Sequence, residues 1–165
     1  MSESESTLHL VCGKIAAGKS TLSKSLSERL GTVLIAEDVW LASLFPHEIL
    51  NVDDYVRCSA RLRHTIGPHV VELLHNGMSV VLDFPANTRD VRAWMRDMIA
   101  ASGATHVLHF IDVPDSVCRA RLQERNAAGT HEFTVSDEQF ELITRHFEAP
   151  GPDEGFLVRV YDGEA

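Results

Sequence analysis

Gly13-Lys14-Ile15-Ala16-Ala17-Gly18-Lys19-Ser20 fits the pattern G-x-x-x-x-G-K-[ST] at every fixed position. The spacing has a mechanical meaning. Glycines at both ends let the backbone curl until successive N–H groups point inward, and a following helix adds the partial positive charge of its N-terminus. Such a nest suits a polyphosphate. Lys14, Ile15, Ala16 and Ala17 supply the middle of the curl, and Lys14 is expected at the surface. Lys19 is placed to reach the β- and γ-phosphates, Ser20 to offer its hydroxyl to Mg²⁺, and Thr21 to help at the α-phosphate. With glycine near 7% of residues in proteins, a chance match in a chain of this length has a probability on the order of one per cent.

The flanks of the loop agree with that reading. Residues 8–12 (LHLVC) form a short apolar run that suits a buried strand. After the loop, Leu22, Leu26 and Leu30 recur every four residues, and Gly31 reads as a helix stop. Residues 32–36 make a second strand, closed by Glu37-Asp38. A long helix is expected from about 53 to 76, with Leu62, Ile66, Val70 and Leu74 as its apolar stripe and Gly67-Pro68 kinking or breaking it. A third strand spans 79–83 and ends in a carboxylate, a helix follows over about 88–101, and a fourth strand spans 106–112. Pro114-Asp115 starts another helix, Ser136 with Gln139 makes a capping box for the next, and 157–161 is a fifth strand. Strands alternating with helices predict an α/β fold with a parallel sheet covered on both faces, in one domain over residues 1–165. Ligands of such sheets bind outside the carboxyl ends of the strands. The chemistry is therefore expected at residues 13–21, Asp38, Asp83 and Asp112.

Bulk properties narrow the partners. The chain has 165 residues, 24 acidic against 15 basic, for a net charge of −9. That balance disfavours a nucleic-acid or anionic-membrane surface, although a local basic groove is compatible with it. Cys12, Cys58 and Cys118 form no CxxC pair and read as buried, reduced thiols of a cytoplasmic protein. The first seven residues are polar and acidic, unlike a secretory leader, and no apolar run approaches the ~20 residues that span a bilayer. The nine histidines show no zinc-binding spacing. His106 and His109 fall on opposite faces of their strand, which suits packing better than ligation.

Absences separate the classes that share this loop. Neither Asp83 nor Asp112 opens an Asp-x-x-Gly, no guanine-reading [Asn/Thr]-Lys-x-Asp is present, and the Ser-Gly-Gly signature of transporter ATPases is missing. The chain is also too short for a ring-forming motor ATPase. A kinase remains. Asp38 follows the second strand, where a carboxylate can accept the proton of an attacking hydroxyl; the other reading is a helix N-cap for 39–45. Asp83 is either a carboxylate holding a Mg²⁺-bound water or a turn former before Phe84-Pro85. Arg121 and Arg125 are i, i+4 neighbours on one helical face, with Arg119 pointing away. With the glycine-containing stretch that follows, they suggest a helical lid over about 115–136 that closes on the triphosphate; the alternative is a solvated face paired with nearby acids. Trp40, Arg57, Arg61, Arg63, His64, Arg89 and Arg92 are candidates to read the acceptor or, equally, a solvated surface.

The ordered set of the 13–21 loop, Asp38, Asp83, Arg121 and Arg125 resembles the small P-loop kinases. Within them it is similar to the AAA_33-type ATP-binding proteins and so to polynucleotide 5′-hydroxyl kinases, chloramphenicol phosphotransferases and zeta toxins. Phe147-Glu148-Ala149-Pro150-Gly151-Pro152-Asp153-Glu154 resembles an F-E-x-P-x-x-x-E ending common in that group. The resemblance covers nearly the whole chain. It implies a three-layer P-loop NTPase sandwich with strand order 2-3-1-4-5, ATP with Mg²⁺, and γ-phosphoryl transfer to a small-molecule or nucleoside hydroxyl. A polynucleotide or nucleotide-sugar acceptor, or a non-catalytic ATP-dependent regulator, are the alternatives. Polynucleotide kinases of this kind usually carry an arginine three residues after the base; Leu41 stands there, next to Trp40.

Overall fold

The computed structural model of the protein describes residues 5–129 and 133–162. Five strands, β1 (Thr7–Cys12), β2 (Thr32–Ala36), β3 (Ser79–Pro85), β4 (Thr105–Ile111) and β5 (Val158–Tyr161), pair in parallel in the order β2-β3-β1-β4-β5. The α/β sandwich and its strand order are those expected. Helices α1 (Lys19–Ser27), α2 (Glu37–Leu44), α3 (Val52–His75), α4 (Arg89–Ser102), α5 (Asp115–Ala128) and α6 (Asp137–Arg145) cover the two faces, and a short 3₁₀ turn, Pro152–Glu154, precedes β5. Among the described residues no helix is long and apolar enough to cross a membrane.

β1 lies mid-sheet with all but its first residue buried: Leu8, Leu10 and Cys12 share one face, and His9 and Val11 the other, where His9 pairs with His109 at 3.0 Å. Leu8, Leu10 and Cys12 join Val80 and Leu82 of β3 in the main core, against Leu62, Ile66, Val70 and Leu74 of α3 and Met95 and Met98 of α4. The α3 stripe is the one read from the i, i+4 spacing. Leu10 pairs with Leu82 but Val11 with Pro85, so β3 carries two extra residues at Asp83 and Phe84. This irregularity releases Asp83 from pairing with β1 while it stays opposite Ala36 of β2.

Three local readings are decided. α3 runs unbroken through Pro68, so the break that was one expectation does not occur. Gly67 is explained by close packing instead: a Cβ there would come within 3.1 Å of Trp94 Nε1. α1 ends at Ser27, leaving Leu30 outside the helix and fully exposed, so the leucine stripe is one turn shorter than its spacing suggests. α2 begins at Glu37 with Ala36 at its N-cap, so Asp38 lies in the first turn and the N-cap reading of Asp38 falls. The capping box of Ser136 and Gln139 is present at the start of α6, and all three cysteines are buried and free.

The ending that resembles F-E-x-P-x-x-x-E is a strap tied to α4. Arg92, wholly buried, donates from Nε to Glu154 Oε1 at 2.8 Å, and from Nη1 to the carbonyls of Ala86 at 2.8 Å and Glu148 at 2.7 Å. The second oxygen of Glu154 accepts the Gly151 N–H at 2.8 Å. A buried ion pair endures only when its remaining polar atoms are satisfied in this way.

Candidate active site

The 13–18 loop leaves β1 at the carboxyl edge of the sheet, where chain reversal brings the ends of β1, β2 and β3 together. Ala16 takes a left-handed φ of 60° and Gly18, the N-cap of α1, a φ of 112°. Gly13 is required for a different reason: a Cβ there would press against the Ile111 carbonyl oxygen at 3.1 Å and Ala17 Cβ at 3.2 Å. Lys19 Nζ donates to the carbonyls of Gly13 at 2.6 Å and Lys14 at 2.8 Å. Burial pulls the Lys19 pKa below its ordinary value, and the charges of Asp83, then Cys12 and Asp38, oppose that shift. The ammonium is thus held in the loop's mouth, in the field of both carboxylates singled out from the sequence. Ser20 and Thr21 are exposed in the first turn of α1.

Asn87, which carries no motif in the sequence, fixes where the loop begins. Its side-chain oxygen accepts the Gly13 N–H at 3.0 Å and its amide donates to the Gly13 carbonyl at 2.8 Å. Its own carbonyl accepts the Glu148 N–H at 2.8 Å, which links the loop to the strap. Only its place just past the third strand could have drawn attention to it. Lys14 is no idle surface residue: Nζ pairs with Asp115 at 2.7 Å and lies 5.8 Å from the Phe147 ring.

Asp38 and Asp83 are half-buried at the ends of neighbouring strands. Beside them lies a second carboxylate cluster that sequence reasoning missed. Glu37 is buried, and it accepts hydrogen bonds from Tyr55 Oη at 2.6 Å and from Ser59 Oγ. Burial pushes its carboxyl up to about 7, against the pull of these two donors. The available signal was the pair Tyr55 and Ser59, four residues apart on one helix and able to face a single acid.

Arg121 reaches the loop from α5, donating from Nη1 to the Ala17 carbonyl at 2.9 Å. Arg125 is half-buried one turn further along the same helix. Arg119 turns instead to α6, where it pairs with Glu141 and covers the Phe140 ring at 4.7 Å. Ala17, Ile111, Cys118, Leu122 and Phe140 form a small core beneath this unit. Residues 130–132 of the expected lid lie outside the described residues. The candidate acceptor-reading arginines separate: Arg57 pairs with Asp54 at 2.9 Å, Arg89 with Asp153 at 2.8 Å, and Arg92 is locked to Glu154. Arg63 keeps a different setting, half-buried with its guanidinium 5.8 Å from the Trp94 ring.

Among the described residues no three His, Cys, Asp or Glu side chains gather as a metal site. A hydroxyl at Ser20 and a carboxylate at Asp83 are hard oxygen donors, the chemistry Mg²⁺ takes when a nucleotide's phosphates complete its shell.

The AAA_33 family model, described as an AAA domain, matches residues 8–150. No curated protein matches the chain. Solved structures share its fold. A candidate kinase from Chloroflexus aurantiacus J-10-fl is 20% identical, with TM-score 0.76 over 98% of this chain and 86% of that one. Kti12 of Chaetomium thermophilum, in complex with ADP-AlF3, is 15% identical, with TM-score 0.69 over 94% of this chain and 89% of that one. The APS kinase CysC of Mycobacterium tuberculosis, in complex with AMPPNP and APS, is 21% identical, with TM-score 0.61 over 96% and 90%.

Proposed function

The chain belongs to the AAA_33 family, and from that premise we propose that it is an ATP-dependent phosphotransferase acting on the hydroxyl of a small-molecule acceptor. One observation carries the reading: the Lys19 ammonium rests on the Gly13 and Lys14 carbonyls of the loop, while Asp83 lies opposite Ala36, the residue that leads through Glu37 into Asp38. A loop that only bound phosphate would have no need of a second carboxylate at the end of β2. AMPPNP and ADP-AlF3 in two proteins of the same fold support an adenine nucleotide as the donor.

In this mechanism Lys19 exchanges the carbonyls of Gly13 and Lys14 for the β- and γ-phosphate oxygens. Ser20 and Asp83 would hold Mg²⁺, which would supply positive charge to offset that of the triphosphate. Asp38 accepts the acceptor's hydroxyl proton as that oxygen attacks the γ-phosphorus. The bond from the γ-phosphorus to the bridging oxygen breaks, and ADP leaves with the bond's electron pair. Arg121, already at the loop, and Arg125 neutralise charge spreading over the transferred group as the α5–α6 unit closes. Three buried reduced thiols fit a cytoplasmic setting.

The test is a metabolite extract incubated with γ-labelled ATP. A newly labelled product is expected. Asp38→Asn should lower its formation by roughly 10²–10⁴-fold while AMPPNP affinity stays within about twofold. Wild-type transfer by that variant would remove Asp38 from the chemistry.

A further inference from the structure

Tyr55, Ser59, Arg63 and Gly67 recur every four residues and so share one face of α3. Tyr55 and Ser59 meet Glu37, the neighbour of Asp38, and Gly67 meets Trp94. Trp94 in turn packs on Phe84, the neighbour of Asp83, with ring centroids 5.7 Å apart. Arg63 therefore lies one helical turn beyond the Glu37 cluster on that face of α3, and its charge and that of Asp38 both act on Glu37 and Tyr55. No salt bridge to Arg63 occurs among the described residues, whereas Arg57, Arg89, Arg92 and Arg119 each hold a carboxylate. Glu37, the acid on which its charge acts, is already committed. Both oxygens of Glu37 accept from Tyr55 and Ser59, and its raised pKa keeps a share of it uncharged near neutrality. A cation outside any salt bridge among the described residues, backed by an indole, is suited to a bidentate anion.

We propose that Arg63 is the specificity residue of the acceptor site, and that the acceptor is a small hydroxylated molecule that also carries a carboxylate or a phosphate. This deepens the phosphotransferase reading and rests on it. The anion pairs with Arg63, Trp94 offers an apolar flank, and the hydroxyl is turned towards Asp38.

Two measurements test the proposal separately from the reading beneath it. In the first, inorganic phosphate is titrated by calorimetry into the full chain saturated with Mg·AMPPNP. Wild type should take up phosphate in the millimolar range, Arg63→Gln should weaken that uptake at least about tenfold, and Arg63→Lys should restore part of it. AMPPNP affinity, unchanged in both variants, shows that they are folded. No phosphate uptake by wild type, or equal uptake by Arg63→Gln, overturns the proposal. In the second, γ-labelled ATP is offered with matched pairs: glycerol and glycerate, glucose and gluconate, ribose and ribose 5-phosphate. Label should enter the acid of a pair, and Arg63→Gln should raise its KM at least about tenfold with kcat within threefold. The carboxylate and phosphate pairs identify which anion is preferred. Equal labelling of neutral and acidic partners overturns the anion proposal and leaves phosphotransfer standing. Label in no acceptor, with phosphate uptake intact and Arg63-dependent, instead strikes the kinase reading and leaves Arg63 as an anion site.

Discussion

Glu37 carries the clearest pH dependence in the molecule. Its folded-state pKa, about 7 against an ordinary 4.5, arises from burial, only partly offset by the Tyr55 and Ser59 hydrogen bonds. The groups that face it are Asp38 on its own helix and Tyr55, Ser59 and Arg63 on α3. Because the folded state binds this proton more tightly than the unfolded one, stability is full below about pH 4.5 and falls as pH rises to about 7. The loss is on the order of 3 kcal/mol. Urea unfolding between those values should show the decline, and Glu37→Gln should flatten it. Lys19 gives a second expectation. Burial disfavours its charge, so Lys19→Met should leave thermal stability equal or higher while AMPPNP affinity drops about 100-fold or more, measured by calorimetry. The curl of the 13–18 loop and the helix after it were legible because a left-handed φ at Gly18 and the close approach at Gly13 demand glycine at that spacing. Asn87 was not, since an asparagine after a strand has no signature until its amide is seen on Gly13.

At the level of elements, strand positions and the α3 stripe followed from apolar runs and fourfold spacing, while junctions between elements did not. α3 continues through Pro68, and Gly67 is there for the indole of α4. Gly67→Ala should cost about 1–3 kcal/mol, read as a lowered urea midpoint, because Trp94 must shift to admit the methyl group. The strap is a sharper case. Glu154 was visible only as the end of a familiar spacing, and Arg92 as a possible surface cation, yet together they form a buried ion pair. Arg92→Met strands the Glu154 carboxylate and should destabilise by about 3–5 kcal/mol, whereas adding Glu154→Gln should recover part of that loss. Chemical denaturation of the three variants measures the coupling directly.

Over the whole molecule, the loop, the α5–α6 unit and the strap converge on one edge of the sheet through Arg121, Asn87 and Lys14. A ligand that engages all three stabilises the native state by mass action. Mg·AMPPNP at about 100 times its Kd should add about 2.7 kcal/mol, raising Tm by roughly 5–10 °C. Scanning calorimetry checks this, and Arg121→Ala should reduce the gain. The sequence by itself determined the alternation of strands and helices, the glycine-bounded loop after β1 and the carboxylates near the strand ends, because periodicity and motif spacing are properties of neighbouring residues. Only the tertiary structure decided which arginines are bound to carboxylates and which one lies against the Trp94 indole instead, and it alone made Glu37 a buried acid. Those outcomes depend on groups brought together from distant parts of the chain, and on the water excluded when they meet, neither of which local spacing records.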